Sequence, residues 1–139
     1  MLEMAEIKPD DIVYDLGCGD ARILITAVRE FGARMAVGYE IREDLYKVAK
    51  SEVEQRGLQD KITIVNGNLF NADLSSATVI TLYLTGSAND LLKPKLEREV
   101  KPQTRIVSRT FSMRGWKFSK QENFFGTSIY LYKAPEAFT

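Results

Sequence analysis

The 139-residue chain contains no histidine, which removes imidazole acid–base catalysis, the Ser-His-Asp and Cys-His triads and histidine metal sites together. A single cysteine excludes an internal disulfide framework. Excess charge of either sign is also missing. With 19 basic side chains against 19 acidic ones, no global field draws the molecule to phosphate backbones or anionic membrane, and a nucleic-acid partner is disfavoured. No apolar run reaches about 18 residues, and Met1 to Asp10 is too short and too acidic for a signal peptide. These deficits predict a soluble, cytoplasmic protein with no membrane partner and no metal site. With 45% hydrophobic residues, residues 1–139 are expected to form one domain. A domain of this size buries roughly two thirds of its unfolded surface, enough for an ordinary apolar core.

What is present is an alternation of short β-branched runs with amphipathic helical stretches. That is the pattern of a mostly parallel sheet covered by helices on both faces, and the fold class is α/β. Residues 12–16 form an apolar run ending at Gly17-Cys18-Gly19, after which Ile23, Leu24, Ala27, Val28 and Phe31 recur at helical spacing up to Gly32. Residues 35–41 predict a second strand, and Leu45, Val48, Ala49 and Val53 mark a second helix ended by Gly57. Residues 62–65, 78–84 and 105–108 read as strands three to five. Pro94 suits the first turn of a short helix through Val100 and argues against a long helix from Ala88. Residues 118–125 and 127–133 flank Gly126 and alternate in hydrophobicity, as an antiparallel pair does. Frayed ends are expected over the first few residues and over 134–139.

The most informative stretch is Asp15-Leu16-Gly17-Cys18-Gly19-Asp20-Ala21, because small residues at a strand-to-helix turn let a ligand approach the backbone. A dinucleotide fingerprint needs its third small residue three places after the second glycine, and Arg22 stands there. NAD binding is demoted by that spacing. The carboxylate of Asp15 at the strand end can accept loop amide hydrogen bonds or face a cation, and it repels phosphate. Glu40, 21 residues after Gly19, closes the second strand, where an acid can accept both hydroxyls of a ribose. Asn68 follows the third strand, where an amide can hydrogen-bond an adenine edge or simply sit in a turn. Three polar side chains at the carboxyl ends of neighbouring strands share one crevice, the binding edge of an open α/β sheet.

The residues Val13-Tyr14-Asp15-Leu16-Gly17-Cys18-Gly19-Asp20-Ala21, with Glu40 and Asn68, resemble the S-adenosylmethionine site of class I methyltransferases. Residues 11–20 and 92–97, with Arg114-Gly115-Trp116, resemble the small archaeal protein-lysine methyltransferases, relatives of mitochondrial enzymes that act on ATP synthase subunit c and the adenine nucleotide carrier. The resemblance implies a Rossmann-like seven-stranded sheet whose last two strands form a hairpin. It also implies a monomer that converts S-adenosylmethionine to S-adenosylhomocysteine and methylates accessible lysines of protein substrates. Asp15, Gly17 and Gly19 are then expected at the methionine portion, Glu40 at the ribose and Asn68 at the adenine, with Leu16, Cys18, Ile41 and Leu69 beside them. Two features depart from the family pattern: the chain starts only a few residues before the first strand, where relatives carry a longer Pro-rich segment, and Ala21 replaces a usual glycine.

Methyl transfer from a sulfonium is an in-line displacement, so the protein chiefly desolvates and aligns the nucleophile, and the missing histidine is no obstacle. A lysine acceptor must arrive neutral although its free pKa is near ~10.4. Tyr83, Leu84, Thr85, Ser87 and Asn89 follow strand four at the methyl-facing edge, with Tyr83 and Thr85 the candidate substrate-pocket residues; Tyr83 reads either as an aromatic wall for a cationic lysine or as a core-facing strand residue. The Asn-Pro-Pro-Tyr type motif of nucleobase-amine methyltransferases is absent, since Leu82-Tyr83-Leu84-Thr85 stands in its place. Trp116 is expected to be a packed loop residue and Cys18 a small space-filler without catalytic work. RNA or a small metabolite as acceptor, and a catalytically silent cofactor-binding fold, are the competing readings.

Overall fold

Val79, Ile80, Thr81 and Leu82 are all fully buried, so the strand they form runs through the middle of a sheet covered on both faces. The computed structural model describes residues 2–139. Its strands are β1 (Ile12–Leu16), β2 (Met35–Glu40), β3 (Ile62–Asn66), β4 (Val79–Leu82), β5 (Arg105–Arg109), β6 (Lys120–Phe124) and β7 (Thr127–Lys133). They form one seven-stranded sheet in the order β3-β2-β1-β4-β5-β7-β6. The first five strands are parallel, whereas β7 runs antiparallel to both β5 and β6. The antiparallel pair expected from the alternation around Gly126 is therefore present, and it closes one side of the sheet.

The helices are α1 (Leu2–Ala5), α2 (Arg22–Arg29), α3 (Glu43–Gln55) and α4 (Gly86–Glu99). In α2, Leu24, Ala27 and Val28 recur three and four residues apart and are buried; in α3, Ala49 and Val53 do the same. Both stripes pack with Val13, Ala36, Ile62 and Val79 on one face of the sheet. On the other face Leu92 and Leu96 of α4 pack with Leu16, Ile80, Leu82, Ile106 and Tyr132. The expectation of helices on both faces thus holds, each stripe contributing roughly 1.5–3 kcal/mol per buried large aliphatic side chain.

Three local expectations are corrected. Pro94 lies inside the 14-residue α4 and does not begin a short helix. It sits on the exposed side of the helix, while Leu92 and Leu96 on the opposite side bind the helix to the sheet. Packing outweighs the local cost. Among the described residues, which begin at Leu2, neither end is frayed. Leu2, Met4 and Ala5 are buried, and Arg105 donates to the carbonyls of Ala5 and Glu6 at 2.6 and 3.1 Å while pairing with Asp11. At the other end Ala134 donates to Thr104 at 2.9 Å, Lys117 donates to Ala137 at 2.9 Å, and the Phe138 ring lies 4.6 Å from Trp116. Strand four also ends at Leu82, two residues short of the expected Leu84, which leaves Tyr83 outside the ladder.

Replacing Pro94→Ala restores a donor and removes ring crowding in an exposed stretch of α4. Stability is expected to rise by about 1 kcal/mol, or roughly 3–5 °C in Tm. A lower Tm in calorimetry shows instead that the proline geometry is needed for the packing of Leu92 and Leu96.

Candidate active site

The strand order runs outward in opposite directions from β1 and β4, which makes the gap beyond their carboxyl ends the topological switch point of the sheet. The glycine turn lies there. Gly17 and Gly19 adopt φ of 85° and 56°, a region that glycine enters without the Cβ clash other residues suffer. The Gly17 and Cys18 amides donate to the Tyr39 carbonyl at 2.9 and 3.0 Å, anchoring the turn to the end of β2. A Cβ built on Gly19 meets no atom within 4 Å, so the backbone there faces open space.

Asp15 and Glu40 are both buried at this edge. Asp15 accepts a hydrogen bond from the Thr81 hydroxyl at 2.8 Å. Burial is the main cause that pushes its pKa up to about 7, with the Glu40 charge adding to the rise and the Thr81 bond opposing it. Glu40 accepts from the Gly19 amide at 2.9 Å and, through its other oxygen, from the Arg42 amide at 3.1 Å. A carboxylate has about four acceptor sites, so each oxygen keeps capacity for a further donor. The Asn66 side chain donates to the carbonyls of Glu40 and Ile41 at 3.0 and 3.3 Å, and the Gly67 amide reaches the Glu40 carbonyl at 3.2 Å. Asn68 stands one residue further on, and its Oδ1 caps the short 3-10 turn Leu69–Asn71 by accepting from the Phe70 amide at 2.9 Å. That is the turn role weighed for it, and it leaves the amide Nδ2 unused for a ligand.

The remaining expected residues divide by exposure. Leu16 is fully buried on the α4 side, Leu69 packs at the edge of the same cluster, and Ile41 projects into solvent beyond β2. Burial pushes the Cys18 thiol up to about 12, with the nearby acids contributing, which leaves it unreactive. Tyr83 is 54% exposed, so it is not the core-facing strand residue considered as its alternative; the Arg109 guanidinium lies 4.5 Å from its ring centroid. Thr85 caps α4 by accepting from the Ala88 amide at 3.1 Å, a structural duty independent of any substrate. Phe111 packs its ring edge near Gly86 at the same mouth. Trp116 is buried, donates to Glu97 at 2.8 Å and is a packed loop residue, as expected.

Three contributors escape a reading by motif. Thr81 meets Asp15 across 66 residues of chain. Gly38 lies inside β2, where a Cβ would stand 2.5 Å from Leu24 Cδ1, 2.7 Å from Cys18 Sγ and 2.8 Å from Cys18 Cβ. An isolated glycine in a strand does signal such a close approach, so Gly38 was findable from the pattern Met-Ala-Val-Gly-Tyr. Arg109 carries no local signal. A groove of about 890 Å³ lies at the opposite edge between Asp11, Thr78, Lys101 and Arg105. Cavity size and chemistry therefore disagree, and the switch point with its buried acids is the stronger indicator.

A model of the ANTKMT methyltransferase domain matches residues 15–120, from Asp15 to the first residue of β6. The chain belongs to this methyltransferase family. A protein-lysine N-methyltransferase of Saccharolobus islandicus is 46% identical over 136 residues, covering 95% of this chain and 84% of the relative. An adenine nucleotide translocase lysine N-methyltransferase of Mus musculus is 29% identical over 117 residues, 84% of this chain and 50% of the relative, so this chain spans about half of that protein. The crystal structure of an RNA methyltransferase from Salinibacter ruber, in complex with S-adenosyl-L-homocysteine, superposes with a TM-score of 0.93 at 41% identity over 97% of this chain and 88% of that one. The methyltransferase has the Rossmann-like class I fold, hairpin included.

Two expectations follow from the geometry. Because the folded pKa of Asp15 exceeds its ordinary 3.8, the folded protein holds that proton more tightly; the contribution of Asp15 to stability is greatest below pH 3.8, declines as pH rises to about 7 and is level above. Asp15→Asn should match the wild type near the acid end and exceed it by roughly 2–4 kcal/mol at pH ~8. Denaturation at both pH values without ligand checks this; an equal or less stable variant at the higher pH removes the claim. Gly38→Ala should cost about 1–3 kcal/mol by displacing Cys18 and Leu24, and a denaturation midpoint equal to wild type counts against the close approach.

Proposed function

We propose that the methyltransferase transfers methyl groups from S-adenosylmethionine to lysine ε-amines of protein substrates, with the carboxyl edge of β1, β2 and β4 as its active site. The observation that carries this reading is the pairing of a buried Asp15 with the open backbone at Gly19 and the braced Glu40. These groups fit the donor chemically: Asp15 offers an anion to the methionine ammonium, the bare Gly17–Gly19 turn admits the backbone-close portion, and Glu40 keeps acceptor sites for ribose hydroxyls. Asn68 Nδ2 would donate to the adenine, and Ile41 and Leu69 would supply apolar contact beside it, with Leu16 and Cys18 holding the turn. When bound, the donor supplies a methyl on a sulfonium: the amine lone pair forms the N–C bond as the C–S bond breaks and its electron pair goes to sulfur. Tyr83 lines the acceptor's approach, and Thr85 shapes it through the cap of α4.

The lysine assignment draws support from the 46% identity to the S. islandicus protein over 95% of this chain. A second reading, RNA as acceptor, draws on the name of the S. ruber protein at 41% identity. Against RNA stand the balanced charge and the absence of an Asn-Pro-Pro-Tyr type sequence after β4. The reading takes residues 1–139 as one domain, a single copy as the working unit and cytoplasmic proteins as substrates. Among the described residues no helix is long and apolar enough to cross a membrane.

Protein and RNA fractions incubated separately with the purified chain and methyl-labelled donor should show label in methyl-lysine after acid hydrolysis. Label in RNA alone overturns the lysine reading. Donor affinity in the wild type should rise about tenfold per unit as pH increases toward about 7 and then level, because binding a cation displaces the Asp15 proton. Asp15→Ala and Glu40→Ala should each weaken binding at least about tenfold, measured by calorimetry. Undiminished binding in both variants removes these residues from the site.

A further inference from the structure

A lysine acceptor reaches an enzyme protonated, and displacement at carbon needs its lone pair, so something at the mouth must disfavour the ammonium form. No histidine exists to take the proton. The acids at the switch point, Asp15 and Glu40, accept from Thr81 and from the Gly19 and Arg42 amides and are assigned to the methyl donor. Beyond β4 a cation stands over the exposed Tyr83 ring: Arg109 at the end of β5, half-buried, with its guanidinium 4.5 Å from the ring centroid. Among the described residues it has no carboxylate within ion-pair distance.

The charges around it are already engaged or lie apart. Glu122 of β6 shares a ladder row with Ile129 and Arg109 but pairs with Lys120 at 3.0 Å. Asp90 of α4 faces Arg114 at 3.9 Å, and Lys93 donates to the Arg114 carbonyl. Asp20 beyond β1 pairs with Arg22 at 3.1 Å. On α1, which packs on β5, Glu3 is exposed, while Glu6 lies where Arg105 binds its carbonyl at the amino end of β5. Arg109 therefore keeps its full charge directed at the Tyr83 face, the surface that otherwise attracts an ammonium group.

We propose that Arg109 is a specificity-determining and positioning residue that occupies the cation-binding face of Tyr83 and lowers the pKa of the incoming lysine, so that the neutral amine is the form admitted. The proton leaves to water before displacement, and no protein base is needed. A guanidinium suits this task because it remains cationic over the whole working range and stacks flat on an aromatic ring. At an effective dielectric of about 40, between that of a protein surface and that of water, a unit charge about 6 Å away shifts an amine by about one pH unit. The inference rests on the lysine reading and adds to it the source of the deprotonated acceptor.

The test compares pH profiles of methyl-lysine formation on lysine-rich core histones by the wild type, Arg109→Gln and Arg109→Lys. The wild-type profile should rise through an apparent pKa below the ~10.4 of free lysine. In Arg109→Gln that limb should move up by about one unit, giving about a five- to tenfold loss near pH 7.5 that recovers near pH 10. Arg109→Lys should keep most of the displacement. A readout independent of turnover is the carbon-13 shift of a labelled monomethyl-lysine peptide bound with S-adenosylhomocysteine, whose titration should move up by the same amount in Arg109→Gln. Donor affinity within twofold of wild type shows that the variant is folded. A loss uniform across pH, or a titration unmoved by the substitution, overturns the inference while leaving the lysine reading intact. Wild-type label confined to RNA overturns both.

Discussion

Two carboxylates held out of water at one edge of the sheet set the terms for the rest of the structure. Asp15 and Glu40 are buried on adjacent strands, and each raises the cost of ionising the groups around it. Hydrogen bonds from Thr81, the Gly19 amide and the Arg42 amide offset part of that cost. In the proposed function, the remainder is a deficit that the cationic donor removes. Binding energy and folding energy are therefore linked, since a ligand that binds the native state alone stabilises it by mass action. A site tuned in this way sacrifices stability without ligand in return for preorganised charge, a common pattern where buried acids serve a ligand.

Close packing keeps those acids in place. The helix that follows the glycine turn presses Leu24, and the turn itself presses Cys18, onto the backbone of Gly38 in the neighbouring strand. Leu84, just past β4, lies at van der Waals distance from where a Cβ of Gly17 would stand. The turn is thus clamped from both sides of the switch point, with open space left only above Gly19. Because cores at native density do not deform continuously, this clamp fixes the backbone amides and the Glu40 carboxylate as one unit. The acceptor side is built differently. Tyr83 and Phe111 lie past the strand ends, Arg109 closes β5, and all three are partly exposed, so in the proposed reading rings and a charge shape the approach.

That division matches the chemistry of methyl transfer. The donor carries its own activation in the sulfonium, and the protein's share is alignment, exclusion of water and control of the acceptor's protonation. A fold without histidine manages this because none of the steps requires a group titrating near neutrality on the acceptor side. The buried ion pair of Asp11 with Arg105, at the opposite end of the strands, serves another purpose: with Thr78 and the amide of Lys8 it gathers the amino ends of β1, β4 and β5 and the chain before them. Structural and chemical charge clusters thus occupy opposite edges of one sheet.

Asp15, the glycines and Glu40 were legible in the sequence because their meaning is local: a strand end, a turn only small residues tolerate, and an acid closing the next strand. The parallel strands and the final hairpin were equally legible from the period of their apolar residues. Thr81, Gly38 and Arg109 were less so, since each acts through a residue on another strand. The length of α4 also depended on tertiary structure, because the burial of Leu92 and Leu96 outweighs the local penalty at Pro94. At the chain end, Phe138 is ordered by the Trp116 ring and not by any propensity of its own segment. Sequence alone determined which strands exist and which chemistry their ends carry, because backbone conformation and alternation are short-range properties. Only the tertiary structure decided which of those ends face one another and how far burial shifts their charges, because desolvation depends on everything packed around a group.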